Sequence, residues 1–266
     1  MHTRSSSPPK TDGGLKGKCR LDSLLVARGY FPSREQAQRA VRAGGVRVAG
    51  QIAEKPGKSC PVAAAIAVIS RPRYVSRGGD KLKGALVAFG LEVAGLTAVD
   101  VGASTGGFTD CLLQEGARRV YSLDVGKGQL AWKLRQDPRV AVVEGKNARY
   151  LVPEDFPERI ELASADVSFI SLRKLLPALA GLLGPGGRIV ALVKPQFEAE
   201  RGEVGRGGVV RSAAQQQEAV RRVRECAERL GLVPEGEAES ILQGPAGNRE
   251  FFLLLRKPGP ANTAAG

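Results

Sequence analysis

VDVGASTGGFTDCLL, residues 99–113, passes from an apolar strand-like run through a glycine-rich turn into an apolar helix-like run. Glycine carries no Cβ, so such a turn lets backbone approach a ligand closely where a helix N-terminus begins. The turn reads Gly102-Ala103-Ser104-Thr105-Gly106-Gly107 and is followed by Phe108; it lacks the GxGxxG spacing of a dinucleotide site. Gly102, Ser104, Thr105, Gly106, Gly107 and Phe108 are the cofactor contacts it predicts. The plainer alternative is a tight turn that binds nothing.

Outward from this stretch, strand-like runs at 97–101, 120–124, 140–144, 162–166, 188–193 and 251–255 alternate with helical segments. That alternation predicts an α/β fold with a mostly parallel, doubly wound sheet, whose ligands lie at the carboxyl ends of the strands. Asp124 closes the second run, where a carboxylate accepts the ribose hydroxyls of NAD or of S-adenosylmethionine. Asp100, just before the turn, repels a pyrophosphate and favours an ammonium, which points to S-adenosylmethionine. The third run leads into polar groups that include Asn147, on the adenine side. Asp166 closes the fourth run near the expected transfer site, and Lys194 brings an ammonium to the same rim after the fifth. A simple salt bridge to Asp166 is the alternative role for Lys194.

Before the sheet lies a smaller patterned segment. Leu21, Leu24, Leu25 and Arg28 have helical spacing ending at Gly29. Ser33 with Gln36 forms a capping box for a second helix that stops at Gly44 and Gly45, and 46–52 read as a hairpin. Ala37, Ala40 and Val41 share one face of the second helix, while Arg34, Gln38 and Arg42 share the other. Arg39, Arg47, Lys55 and Lys58 add charge without matching acids. A solvated helix face is the alternative to RNA binding here.

Charge follows the same division: residues 1–80 hold 15 Lys/Arg against 5 Asp/Glu, most of a net +13. An arginine-rich patterned module suits phosphate better than a membrane surface. No window reaches 18 consecutive apolar residues and the first residues lack the apolar core of a secretory signal, so a cytoplasmic protein with no membrane partner is expected. Cys19, Cys60, Cys111 and Cys226 form no CxxC pair, and the only histidine is His2, in a Ser/Pro/Gly-rich tail expected to be disordered. Neither a metal site nor histidine catalysis is expected. Cys111 reads as a buried structural thiol, and core packing is the default for Phe108 and Trp132.

The RLDxxLVxRG, SRxxAxxxV and GxVxVxG elements of residues 20–68 resemble the αL RNA-binding module of a ribosomal protein, pseudouridine synthases and tyrosyl-tRNA synthetases. SRGGDKL, VDVGASTGGFTDCLL, ADVSFISL, LVKPQFE, GRGGVVR and GNREFF, in that order, resemble the TlyA family over nearly all of residues 19–257. The resemblance implies a Rossmann-like, S-adenosylmethionine-dependent methyltransferase domain of FtsJ type behind a small α+β αL RNA-binding domain. It divides the chain into tails at 1–18 and 258–266, the αL domain at 19–70, a linker at 71–80 and the methyltransferase domain at 81–257. It also implies a Lys-Asp-Lys-Glu tetrad, carried over to Lys81, Asp166, Lys194 and Glu250; Lys81 rather than Lys83 follows SRGGD in register. RNA contacts are expected from Arg20, Arg28, Arg34, Arg39, Arg42, Arg47, Lys55 and Arg77.

The activity so implied is methylation of ribose 2'-hydroxyls, of cytidine in large-subunit and in some members small-subunit ribosomal RNA, by a monomer acting on ribosomal RNA or subunits. Lys194 is then the base for the hydroxyl or the ammonium that orients it, and Asp166 and Glu250 steady the lysines; the 201–209 loop with Arg201 and Arg206 is read either as folding over the target nucleotide or as an ordinary mobile surface loop. RNA docking through the 71–79 segment is expected to reshape the cofactor site. The competing readings are an idle RNA-binding assembly factor, a membrane-active cytolysin and, more weakly, an NAD oxidoreductase.

Overall fold

The structure, a computed structural model, describes residues 17–69, 73–200, 202, 204–205 and 207–259. His2 and most of the N-terminal tail, residue 70, residues 71–72 of the linker, Arg201, Arg206 and residues 260–266 lie outside the described residues. The chain divides into two compact units between Arg73 and Tyr74.

In the first unit, strand β1 (Lys18–Arg20) leads directly into helix α1 (Leu21–Ala27), and helix α2 (Arg34–Arg42) follows. Positive φ at Gly29 (70°) and Gly44 (71°) turns the chain out of each helix. Ser33 Oγ accepts from Gln36 N at 3.3 Å, so the N-cap half of the expected box is present. Strands β2 (Val46–Val48), β3 (Gln51–Ile52) and β5 (Ile66–Val68) form one sheet; β4 (Ser59–Pro61) pairs antiparallel with β1. Leu21, Leu24, Leu25, Ala37, Ala40, Val41 and Val46 fill the core between them.

The second unit opens with helix α3 (Arg77–Phe89), so the last four residues of the expected linker are helical. Its chain then runs β6 (Thr97–Val101), α4 (Gly107–Gln114), β7 (Arg119–Asp124), α5 (Trp132–Arg135), β8 (Val140–Glu144) and β9 (Ile160–Ala165). After these come α6 (Leu176–Leu182), β10 (Leu183–Val193), α7 (Pro195–Glu198), α8 (Ala213–Arg229), β11 (Val233–Glu239) and β12 (Phe251–Arg256). Among the described residues the sheet order is β11-β12-β10-β9-β6-β7-β8. The five strands from β10 to β8 are parallel, whereas β12 runs antiparallel to both β10 and β11. The chain moves from β6 out to β8 and returns at β9 beside β6, which makes the β6/β9 junction the switch point.

Alternation along the strands assigns the two faces. Val99, Val101, Tyr121, Leu123, Ala163 and Ala165 pack with α6 and α8, while Ala98, Val120 and Leu162 pack with α3 and α4. Asp100, Ser122 and Ser164 stand level on three adjacent strands, on the second of these faces.

Strand β11 was not predicted because Val233-Pro-Glu-Gly-Glu-Ala-Glu239 lacks the β-branched and aromatic pattern of a strand. It is tolerated as an edge, where proline need not donate and charge discourages further pairing. Glu235 pairs there with Arg188 at 2.9 Å and Arg256 at 2.5 Å. The core default fails for Trp132, which is 73% exposed, and holds for Cys111 and Phe108, both buried.

Gly106 has φ 94°, and a Cβ there would strike Leu134 and lie 2.6 Å from Leu130 Cδ1. Gly106→Ala is therefore expected to destabilise the second unit by about 2 kcal/mol, lowering its thermal midpoint by about 4–8 °C. A midpoint unchanged within 1 °C, a tolerance of roughly a quarter of a kcal/mol, contradicts the packing role.

Candidate active site

At the switch point, residues 102–105 after β6 and Asp166 after β9 form one side of a cavity of about 310 Å³. Ser76, Arg77, Gly78 and Lys81 from the start of α3, Gly107 and Phe108 of α4, Ser168, Lys194 and Pro245 complete it. Two lysine–carboxylate pairs meet here. Lys194 Nζ lies 2.6 Å from Asp166 Oδ1 and donates to Ser168 Oγ at 3.0 Å. Lys81 Nζ donates to Glu250 Oε2 at 2.5 Å, with Glu250 only 1% exposed. Lys83 instead reaches Glu115 at 2.7 Å and does not line the cavity.

The segments that carry these groups are buckled to one another. Glu198, buried at the end of α7, accepts from Ser171 Oγ at 2.5 Å and Leu172 N at 2.6 Å, tying α7 to the segment after β9. Burial pushes the Glu198 carboxyl up, against those hydrogen bonds. Asn248 accepts from Val210 N at 2.9 Å and donates to Gly208 O at 2.8 Å, so the segment before Glu250 holds the end of the 201–209 loop.

Of the cofactor contacts expected from sequence, Gly102, Ser104, Thr105, Gly107, Phe108 and Asp166 line the cavity; Asp100, Gly106, Asp124 and Asn147 do not. Asp100 is fully enclosed beneath the turn, so the direct contact expected of it with an amino group is not what the geometry provides. Its Oδ2 accepts from Thr109 N at 2.8 Å and Thr109 Oγ1 at 2.7 Å, and its Oδ1 from Ser164 Oγ at 3.1 Å. Burial pushes its carboxyl up to about 7 despite these bonds, and the charge of Asp166 adds to the rise.

Gly106 serves packing. Gly107 serves close approach as well, since a Cβ there would strike Ser76 Oγ and come 2.9 Å from Gly79 N, where the starts of α3 and α4 abut. A Cβ on Gly102 would strike the Asp166 carbonyl. Asp124 accepts from Ser104 N and Gly126 N, each at 2.8 Å, and so shapes the turn from its far side. Asn147 is exposed and caps a short 3-10 helix by accepting from Arg149 N at 3.0 Å.

In the first unit the basic residues divide. Asp22, fully buried, accepts from Arg20 at 2.8 and 3.0 Å, Gln38 at 2.7 Å and Arg34 at 3.2 Å. The paired Arg20 guanidinium holds this carboxyl far below the usual range. Arg28 donates to the carbonyls of Ala64, at 2.9 Å, and Val62. Arg20, Arg28 and Arg34, expected to meet RNA, thus brace the module instead. Arg39, Arg42, Arg47 and Lys55 are exposed and free of ion pairs among the described residues. Arg77 lies in the second unit, at the cavity.

Sequence reasoning passed over Ser76, Gly78, Ser168, Phe169, Phe197 and Pro245. Phe169 is 92% exposed, holds φ at 65° and packs on Phe197 with ring centroids 5.4 Å apart. An aromatic next to Ile170 reads as core, so only its backbone and exposure reveal it. No group of three or more His, Cys, Asp or Glu among the described residues is arranged to hold a metal ion.

Residues 74–257 match the FtsJ-like methyltransferase family and residues 19–62 the S4 domain. The chain is 49% identical to the 16S/23S rRNA (cytidine-2'-O)-methyltransferase TlyA of Mycobacterium tuberculosis, over 90% of each protein. It is 40% identical to Hemolysin A of Brachyspira hyodysenteriae, over 88% of this chain and 98% of that one. A solved structure of a hemolysin-named protein from Streptococcus thermophilus superposes with a TM-score of 0.73 at 45% identity, over 94% of this chain and 92% of that one.

The raised Asp100 carboxyl has a consequence for stability. Between its unfolded value near 4 and its folded value of about 7 the native state holds a proton that the unfolded chain has lost, so stability falls as pH rises. Asp100→Asn is expected to flatten that decline, by at most about 4 kcal/mol over the interval, in thermal unfolding followed against pH. An unaltered slope contradicts the assignment.

Proposed function

The chain belongs to the TlyA group of the FtsJ-like methyltransferase family, and from that premise we propose that it transfers a methyl group from S-adenosylmethionine to the ribose 2'-hydroxyl of cytidine in ribosomal RNA. The observation that carries this reading is that Lys194, bridged to Asp166, and Lys81, bridged to the buried Glu250, line one cavity at the switch point. A ribosomal substrate places the reaction in the cytoplasm.

The residues present suit the methyl donor. Ser76, Gly78 and residues 102–105 line the cavity with small and hydroxyl-bearing residues. Asp124 takes two backbone N–H groups and, with about four lone-pair sites, retains acceptors for ribose hydroxyls. When bound there, S-adenosylmethionine supplies an electrophilic methyl group. Lys194, 11% exposed, is held by Asp166 and Ser168 to meet the 2'-oxygen, and the Lys194–Asp166 pair receives the hydroxyl proton as that oxygen attacks. Lys81 is kept in place behind them by Glu250.

Recognition is shared between two kinds of surface. The exposed Arg39, Arg42, Arg47 and Lys55 are free to meet RNA phosphates, while Arg77 stands at the cavity. Phe169, beside Ser168 at the rim, offers an aromatic face to a base turned out of its stack. The assembly-factor reading leaves the two buried and half-buried ion pairs without a purpose. The cytolysin reading draws on the name of a relative, and no helix among the described residues is long and apolar enough to cross a membrane.

Lys194→Ala is expected to abolish methyl transfer to ribosomal RNA while S-adenosylmethionine affinity stays within about twofold, less than 1 kcal/mol. Retained turnover refutes the role given to Lys194. Phe169→Ala is expected to lower kcat/KM by roughly tenfold, in line with stacking of about 1–3 kcal/mol per base, with the thermal midpoint unchanged. Mapping 2'-O-methyls in ribosomal RNA from cells with and without the protein tests the reaction itself.

A further inference from the structure

We infer that Gly244 is a positioning residue for the catalytic set, one that acts through Glu250 on Lys81; the inference rests on the methyl-transfer reading above. Gly244 is buried in the segment joining β11 to β12, and its N–H donates to Asn248 O at 2.9 Å. Its φ lies outside the left-handed region, so its backbone suits any residue. What requires glycine is space: a Cβ there would lie 2.5 Å from Glu250 Oε1 and 3.2 Å from Glu250 Cδ.

Glu250 has little freedom to yield. It is 1% exposed, its Oε2 holds Lys81 at 2.5 Å, and its backbone carbonyl accepts from Ser240 N at 2.8 Å. Its Oε1 is enclosed with no hydrogen-bond partner among the described residues, so Gly244 is what bounds this side of the carboxylate. Restoring ordinary van der Waals contact moves the carboxylate by roughly 1 Å, and Lys81 with it, a displacement that in an active site costs up to about 100-fold in rate. Pro245, next in the chain, lines the cavity, so the same short segment both walls the site and spaces its acid.

The test uses the full-length chain, ribosomal subunits and S-adenosylmethionine in single-turnover assays. Gly244→Ala is expected to slow methyl transfer by about 10- to 100-fold, with cofactor and subunit affinities within about twofold of wild type. The discriminating variant is Gly244→Ala combined with Glu250→Asp, which withdraws the carboxylate by one methylene and makes room for the added methyl. In the Glu250→Asp background, Gly244→Ala is expected to cost less than threefold, roughly; a purely structural role for the turn gives the same loss in both backgrounds. If Gly244→Ala alone does not fold, recovery of folding in the double variant supports the inference, and continued misfolding overturns it. A wild-type chain that transfers no methyl refutes the proposed function together with this inference. Active wild type with Gly244→Ala within twofold of it, or equal losses in both backgrounds, overturns the inference alone.

Discussion

A carboxylate sealed away from water, Asp100, sets the geometry on which the site depends. It stands level with Ser122 and Ser164 on neighbouring strands and takes two hydrogen bonds from Thr109 in the first turns of α4. Burying a carboxyl is costly unless its oxygens are satisfied, and the low-dielectric surroundings strengthen each bond that satisfies them. The group therefore pins the start of α4 to β6 and, through Ser164, β6 to β9. The glycine turn between β6 and α4 has almost no freedom left. Gly102 can then sit against the Asp166 carbonyl with no room for a side chain, and the β6/β9 junction becomes a cavity floor.

Charge is used the same way elsewhere in the chain. Asp22 gathers Arg20, Arg34 and Gln38 into a brace between the two helices of the first unit, and Glu198 and Asn248 fasten loops that would otherwise move independently. In each case one buried polar group satisfies several donors or carbonyls from a distant part of the chain. Removing such a group leaves its partners unpaired, so the loops around the cavity are coupled more tightly than their lengths imply.

Much of this was legible in the sequence because strand and helix periods differ. The runs 97–101 and 140–144 correspond to β6 and β8 without adjustment, and the closing residues Asp124 and Lys194 sit at strand ends as read. What sequence reasoning missed depends on approach in space. The placement of Asp100 behind the turn follows from which strand face carries α4, and nothing local in VDVGASTGG reveals that its side chain turns inward. Asn147 looked like an adenine contact and is a helix cap, because an asparagine before Ala-Arg serves either purpose. Core packing is the default reading of Trp132, yet it opens a four-residue helix whose buried side is carried by Leu134. Three of the seven arginines expected to meet RNA, Arg20, Arg28 and Arg34, are spent on carbonyls and on the one acid Asp22.

The reversed direction of β12 has an effect beyond the sheet. A parallel strand brings its last residue to the ligand rim, but an antiparallel one brings its first, which is how Glu250 reaches Lys81 from the far end of the chain. The nucleotide cleft can take shape while the polypeptide is still being synthesised, since β6 to β10 precede residue 194. The acid that secures Lys81 comes at the head of β12, after every strand from β6 to β10. The parallel strands can therefore pair before Lys81 has its partner, and the Lys81–Glu250 bridge closes only when β12 docks against β10.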